Sequence, residues 1–316
     1  MNRRSILQAL AALPAGPVRS LGFMQSSQLG ANTAIKGLGL LDALALLRRL
    51  AFPIVEIHAM GNPNATPDQF PGFQFDRLTA PQKQAIKAAL RGFRHVTAHL
   101  PYTGLDYFAK DESVAEASSR DVDIAIEGAA FFGARLAVLH PKPGSGQTVE
   151  TQWPAMLRRF RRWGDLARRH RLVLALETGF PPSIAGYVRL IREIDHPAVA
   201  AAIDVGHQSK YAELAARVAP QDRATPAGIR AYNDTTLAIV EALGAKVCHL
   251  HIHDIDPQTW QEHRPLGTNF VDFPRLFALL QKLGYHGHLI FEIAGQPEDM
   301  ERHLRDGKAR LEKLLA

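Results

Sequence analysis

A single cysteine, Cys248, stands in 316 residues, so an internal disulfide framework and a Cys-rich zinc module are both excluded. No uncharged apolar run approaches the roughly 18 residues that a membrane-spanning helix needs. No Gly-x-Gly-x-x-Gly follows the first β-rich run, which leaves dinucleotide binding without support. Low-complexity tracts and Ser/Gly linkers are missing too, so nothing divides the chain into domains. Nor does either charge dominate: 37 Lys and Arg against 31 Asp and Glu give +6 with His neutral. That mild excess favours anionic partners without choosing between sugar phosphates and nucleic acid. The densest basic stretch, residues 157–171, sets Leu157, Phe160 and Ala167 on one helical stripe and most of its arginines outward, the pattern of a solvated face rather than a nucleic-acid patch.

What is present is a large potential core, with 46% hydrophobic and 22% charged residues, which excludes wholesale disorder. Residues 1–15 place Arg3 and Arg4 before a modest apolar stretch and Leu13-Pro14-Ala15, a short version of a twin-arginine export signal. A frayed N-terminal tail over residues 1–18 on a cytoplasmic protein is the reading taken, with export as the alternative.

Eight short β-rich runs follow, at residues 21–24, 54–58, 96–99, 136–140, 173–177, 199–204, 247–251 and 289–292. Each precedes a stretch with helical periodicity: 40–50, 81–90, 114–132, 152–170, 184–194, 225–243, 273–283 and 298–315. Several runs are almost continuously apolar, as parallel strands covered on both faces are. Eightfold strand–helix alternation predicts a single-domain (β/α)₈ TIM barrel over residues 19–316, a doubly wound open sheet being the competitor.

The informative fact is where polar residues fall. The last six runs stay apolar or small until their C-terminal ends, where His99, His140, Glu177, Asp204, His251 and Glu292 appear. In a parallel barrel every strand C-terminus opens onto one mouth, so these six side chains converge. Alternation places Glu177 over Ala175 and Val173, Asp204 over Ala202 and Ala200, and Glu292 over Ile290, small or branched residues suited to filling a barrel beneath a site. Three unpartnered carboxylates there would each cost several kcal/mol in desolvation. With few Lys or Arg nearby, a bound divalent cation is the simplest neutraliser. Three carboxylates and one imidazole (Glu177, Asp204, His251, Glu292) suit Mn²⁺, with Co²⁺, Mg²⁺ or Zn²⁺ acceptable.

The segments Leu176-Glu177-Thr178-Gly179, Ile203-Asp204-Val205-Gly206-His207, His251-Ile252-His253-Asp254 and Phe291-Glu292-Ile293 resemble the xylose-isomerase-like barrel superfamily. The likeness runs over residues 21–315. That group holds sugar and sugar-phosphate isomerases and epimerases and, more distantly, the endonuclease IV family. The resemblance implies a metal held by Glu177, Asp204, His251 and Glu292, with His207 on substrate oxygens, His99, His140 and His263 as further substrate contacts, and Glu56 either touching substrate or standing behind the ligands. It also implies that the metal polarises a carbonyl and stabilises an enediolate while Glu177 and Glu292 exchange a proton from opposite sides. The substrate would be a sugar, sugar phosphate or related polyhydroxy acid, and a homo-oligomer is allowed.

The endonuclease IV branch implies instead a zinc phosphodiesterase acting on abasic DNA. His99, His140, His207 and His263 would then ligate additional zinc ions around Glu177. This sequence departs from that pattern: Gln261 stands where an Asp is expected, and Lys142-Pro143 interrupt a His-Pro-Gly. A barrel that binds sugar without catalysis is the third alternative, against which the intact ligand set argues. Among the remaining residues, His58 could reach the mouth, and His249, deeper on the face of His251, reads as a core histidine. Asp254 reads as orienting a ligand, Lys142 as a solvated loop lysine and Cys248 as packing. Specificity would lie in the loops at 61–75 and 208–223.

Overall fold

The computed structural model describes residues 24–60 and 72–315; the expected tail over 1–18 and most of the 61–75 loop lie outside these. Among the described residues there are nine strands: β1 (Leu29–Asn32), β2 (Ile54–Ala59), β3 (Gly72–Phe73), β4 (His95–His99), β5 (Leu136–Leu139), β6 (Val173–Glu177), β7 (Val199–Asp204), β8 (Val247–Ile252) and β9 (His288–Phe291). All pairings are parallel, and β1 pairs with both β2 and β9. Eight strands thereby close into a barrel, while the two-residue β3 only extends the end of β2 at His58 and Ala59.

The helices are α1 (Leu40–Arg49), α2 (Ala80–Leu90), α3 (Glu112–Phe131), α4 (Val149–Arg169), α5 (Ile184–Ile194), α6 (Ala212–Ala215), α7 (Pro226–Leu243), α8 (Phe273–Lys282) and α9 (Pro297–Leu315). Local sequence dictates where several begin. Thr79, Asp111, Thr148, Ser183, Thr225 and Asp272 each accept a backbone N–H of the first turn with their side chains, satisfying donors that the helix itself leaves free. The main core lies between strands and helices, where Leu174, Leu176, Phe160, Trp163, Tyr187 and Leu190 are all fully enclosed, each contributing about 2 kcal/mol by leaving water.

The first strand corrects the sequence reading. It is Leu29–Asn32, not residues 21–24, of which Met24 alone is described and is buried outside any strand. The run was illegible because barrel closure demands small residues: a Cβ on Gly30 would sit 2.5 Å from Ile290 Cδ1 and 2.8 Å from Ile54 Cβ. A strand built on Gly and Asn lacks the β-branched signature by which strands are found. Helix α4 has the solvated face that its apolar stripe predicts. Its arginines are mostly exposed, but Arg159 is buried, donating to Ser119 Oγ and to the carboxylates of Glu112 and Glu116, and so ties α4 to α3.

Inside the barrel the two sides differ. Leu136, Val138, Ala175 and Ala202 form an apolar filling on one side. On the other, Asn32, Glu56, Thr97, His249 and His251 are buried polar residues. These groups are partnered through Glu56, which faces Asn32, Thr97, His249 and His251, so their burial is compensated.

Candidate metal centre

Strand register brings distant residues to one rim. Asp204 on β7 is the Cα partner of His251 on β8, and His251 in turn faces Ile290 on β9, two residues before Glu292. Glu177 ends β6 opposite Ala202, one side-chain layer below Asp204. The three carboxylates meet at one nitrogen. His251 Nδ1 lies 2.7 Å from Glu177 Oε1, 2.9 Å from Glu292 Oε2 and 4.0 Å from Asp204 Oδ2. Glu177, His251 and Glu292 fall, with His99, in one group spaced to hold an ion, whereas Asp204 is grouped with His207 and His263 beside it.

Among the described residues, every basic atom within 4.0 Å of these carboxylates belongs to a histidine. Glu177 meets His99, His140, His207 and His251. Asp204 meets His207, His251 and His253. Burial alone would raise Glu177, but His140 and His251 hold it well below the ordinary carboxylate range. Asp204 is likewise held well below, against burial, by His207 and His253. Glu292 is brought to about 2 against burial by His251. His251 is raised well above the imidazole range, burial opposing, by Glu292, Glu177 and Glu56. Both of its ring nitrogens donate to carboxylates, so a ring proton balances part of the negative charge, and a cation seated among these groups would displace it.

The donor set fits such a cation. Glu177 Oε2 lies 2.7 Å from His140 Nε2 and 3.5 Å from His99 Nε2, yet it is buried without an aligned hydrogen-bond donor. A buried carboxylate oxygen ringed by imidazole nitrogens but lacking an aligned donor is placed as a metal ligand is. Four groups of His, Asp and Glu in the described residues are spaced to hold an ion: His99–Glu177–His251–Glu292, His140–Glu177–His207, Asp204–His207–His263 and Glu56–His249–His251.

The expected substrate contacts divide. His207 Nδ1 donates to Thr178 O at 2.7 Å, which leaves Nε2 free toward Asp204 at 3.9 Å. His99 Nδ1 donates to Leu100 O at 3.1 Å, and its Nε2 approaches His140 Nε2 at 3.2 Å. The Tyr107 hydroxyl fixes the backbone of His140. His263 donates from Nδ1 to Glu292 O at 3.0 Å. These four stand at the mouth. Glu56 does not, because its register partner is Thr97, one layer below the His58–His99 pair, and its oxygens face Asn32 Nδ2, Thr97 Oγ1, His249 Nε2 and His251 Nε2 at 2.9 to 3.1 Å. It lies beneath His251 and fixes the orientation of that ring, as carboxylates behind metal-binding histidines do. Glu56→Gln is therefore expected to weaken divalent-metal affinity about 10- to 100-fold with little loss of fold, measured by titration of the apoprotein.

Asp254 is not a ligand-orienting residue. Its carboxylate accepts the backbone N–H groups of Ile255, Gly267, Asn269, Phe270 and Val271, and so shapes the loop that carries His263. Lys142 donates to the carbonyls of Tyr102 and Leu105, so it braces a loop rather than facing solvent or substrate. His253 had no assigned role in the sequence reading. Its Nε2 donates to Asp204 Oδ1 at 3.0 Å while its Nδ1 accepts the His263 N–H, which orients Asp204. The legible signal was its place two residues after His251 on the same strand face. Gly206 exists for this contact, since a Cβ there would lie 2.5 Å from the His253 ring. Gln261 is exposed, leaving the Asp204–His207–His263 group with one carboxylate.

A family model for xylose isomerase-like TIM barrels matches residues 44–314. The chain belongs to the xylose isomerase-like TIM barrel family. No curated protein matches its sequence at a significant level. Among solved structures, this xylose isomerase-like barrel is similar to a D-tagatose 3-epimerase-like protein, with TM-score 0.66, 16% identity, and 90% of this chain and 98% of that chain covered. It is also similar to the 3-keto-D-glucoside 4-epimerase of E. coli, with TM-score 0.65, 18% identity and coverages of 90% and 99%. A third is an L-ribulose 3-epimerase, with TM-score 0.64, 17% identity and coverages of 92% and 95%. At such identities the likeness is one of fold. No helix in the described residues is long and apolar enough to cross a membrane.

Proposed function

We propose that this protein is a divalent-metal-dependent isomerase or epimerase of a sugar, sugar phosphate or related polyhydroxy acid. The observation that carries the reading is the approach of Glu177 and Glu292 to the same His251 nitrogen, at 2.7 and 2.9 Å, with Asp204 beside them. Glu177, Asp204, His251 and Glu292 would hold the metal, Mn²⁺ being best suited to an oxygen-rich set with one imidazole. When bound, the ion supplies Lewis acidity to a carbonyl and its neighbouring oxygen. Glu177 and Glu292 come from separate strands, so one can take the proton α to the carbonyl while the other returns it. Return to the same carbon from the opposite face gives epimerisation, and return to the neighbouring carbon gives aldose–ketose exchange. His207, with Nδ1 committed to Thr178 O, keeps Nε2 for a substrate hydroxyl. The relatives by fold named as epimerases of tagatose, ribulose and a keto-glucoside make ketoses the first substrates to try. In ²H₂O with Mn²⁺ and a panel of ketoses and aldoses, the protein is expected to place deuterium on the carbon α to the carbonyl of at least one sugar. Absence of exchange across the panel contradicts the reading.

The pair of His99 and His140 on Glu177 Oε2 supports a second reading. A second ion held there beside the first would suit activation of water against a phosphodiester, as in an abasic-DNA endonuclease. Exposed Gln261 counts against the fuller version with a third ion. Cleavage of an abasic duplex without sugar exchange would select this reading over the first.

A further inference from the structure

One cavity lies on the face away from the site. It has a volume of about 590 Å³ and is bounded by the C-terminal turns of α2 and α3 and the starts of β4 and β5. Those are the N-terminal ends of barrel strands, the opposite pole from Glu177 and Glu292. Lys87, Arg91, Arg94 and Arg135 line it, and no carboxylate does. None of the four belongs to a salt bridge among the described residues, although exposed arginines elsewhere on this chain pair readily, as Arg162 does with Asp123 and Arg189 with Glu193. Two helix C-termini also face the cavity, and each brings about half a negative charge. Together they offset about one of the four cations, so a net charge of about +3 remains in one concave space.

The walls between these cations are apolar and aromatic. Phe93 is buried behind the cavity, and Phe131 presents a ring on which Lys87 Nζ sits 4.1 Å from the centroid. A volume near 590 Å³ is within the usual range for small-molecule sites, about 300–1,000 Å³, and is concave where a nucleic-acid surface would be extended. We propose that this cavity binds a small organic phosphate with a planar apolar body, of the nucleotide class. Guanidinium groups match phosphate oxygens in paired hydrogen bonds, and the apolar lining would take the planar part. The site is remote from the mouth and stands independently of the function proposed above.

Binding of ADP, pyrophosphate and adenosine to the full chain, by calorimetry at fixed ionic strength, tests this. ADP is expected to bind saturably and at least about tenfold more tightly than either fragment, since phosphate and planar body are both recognised. Arg94→Ser/Arg135→Ser is expected to weaken ADP at least about tenfold, whereas Arg168→Ser, on the exposed face of α4 outside the cavity, leaves it unchanged. A thermal melt of each variant confirms that the fold is kept. No saturation by ADP up to millimolar concentration, pyrophosphate equal to ADP, or equal weakening by Arg168→Ser would each overturn the proposal.

Discussion

Glu292→Gln is expected to lower turnover by about a thousandfold, within the range that a positioned acid–base group supplies, while the melting temperature of the variant stays close to that of the parent. Gln keeps the shape and one acceptor oxygen, so the change removes only the charge and the capacity to carry a proton. Glu292 is the carboxylate best placed for so clean a test, because its side chain is 23% exposed whereas those of Glu177 and Asp204 are fully buried. Glu177→Gln should cost at least as much activity but less selectively. Glu177 is surrounded by four imidazoles, and removing its charge leaves those rings without the carboxylate that His140 and His251 face. Loss of metal affinity should therefore accompany loss of turnover in Glu177→Gln and be smaller in Glu292→Gln. A fully active Glu292→Gln protein would refute the exchange of a proton between two glutamates.

Chelation is the second large effect. Dialysis against EDTA should abolish sugar exchange and lower the melting temperature by about 5–10 °C, and Mn²⁺ should restore both. The magnitude follows from mass action: an ion at about 100 times its dissociation constant stabilises the native state by about 2.7 kcal/mol, and a chain of this size melts about 2–4 °C lower per kcal/mol lost. The direction follows from the charges, because without the ion three carboxylates, two of them fully buried, are balanced by imidazolium protons and, at Asp204, one backbone N–H. Unchanged melting and activity after chelation would leave the carboxylates balanced by the histidines, and no metal would be needed.

Much of this was legible in the chain before its structure. The strand ends at Glu177, Asp204 and His251, and Glu292 just beyond β9, were found because parallel strands carry polar residues at a common pole and apolar ones beneath. Periodicity sufficed for the long helices, whose stripes are sharp. What escaped was fixed by tertiary contact. β1 is composed of small residues because the closing barrel leaves no room at Gly30. Glu56 was named by the resemblance, but the register pairs it with Thr97, one layer below the His58–His99 pair, so it lies under His251. Asp254 sits next to a histidine pair and reads as their partner, yet its five amide donors come from the loop that follows, which no local pattern announces. Arg159 shares a helix with exposed arginines and is distinguished only by the Glu112 and Glu116 carboxylates that α3 brings across.

The central claim is that Glu177, Asp204, His251 and Glu292 share one cation. Anomalous diffraction at the manganese edge, from crystals of the Mn²⁺-loaded protein, tests it most directly. The account predicts an anomalous peak about 2.0–2.4 Å from Glu177, Asp204 and Glu292 oxygens and from His251 Nδ1. A loaded crystal with no peak among these four residues, or with the ion bound only by His99 and His140, would contradict it.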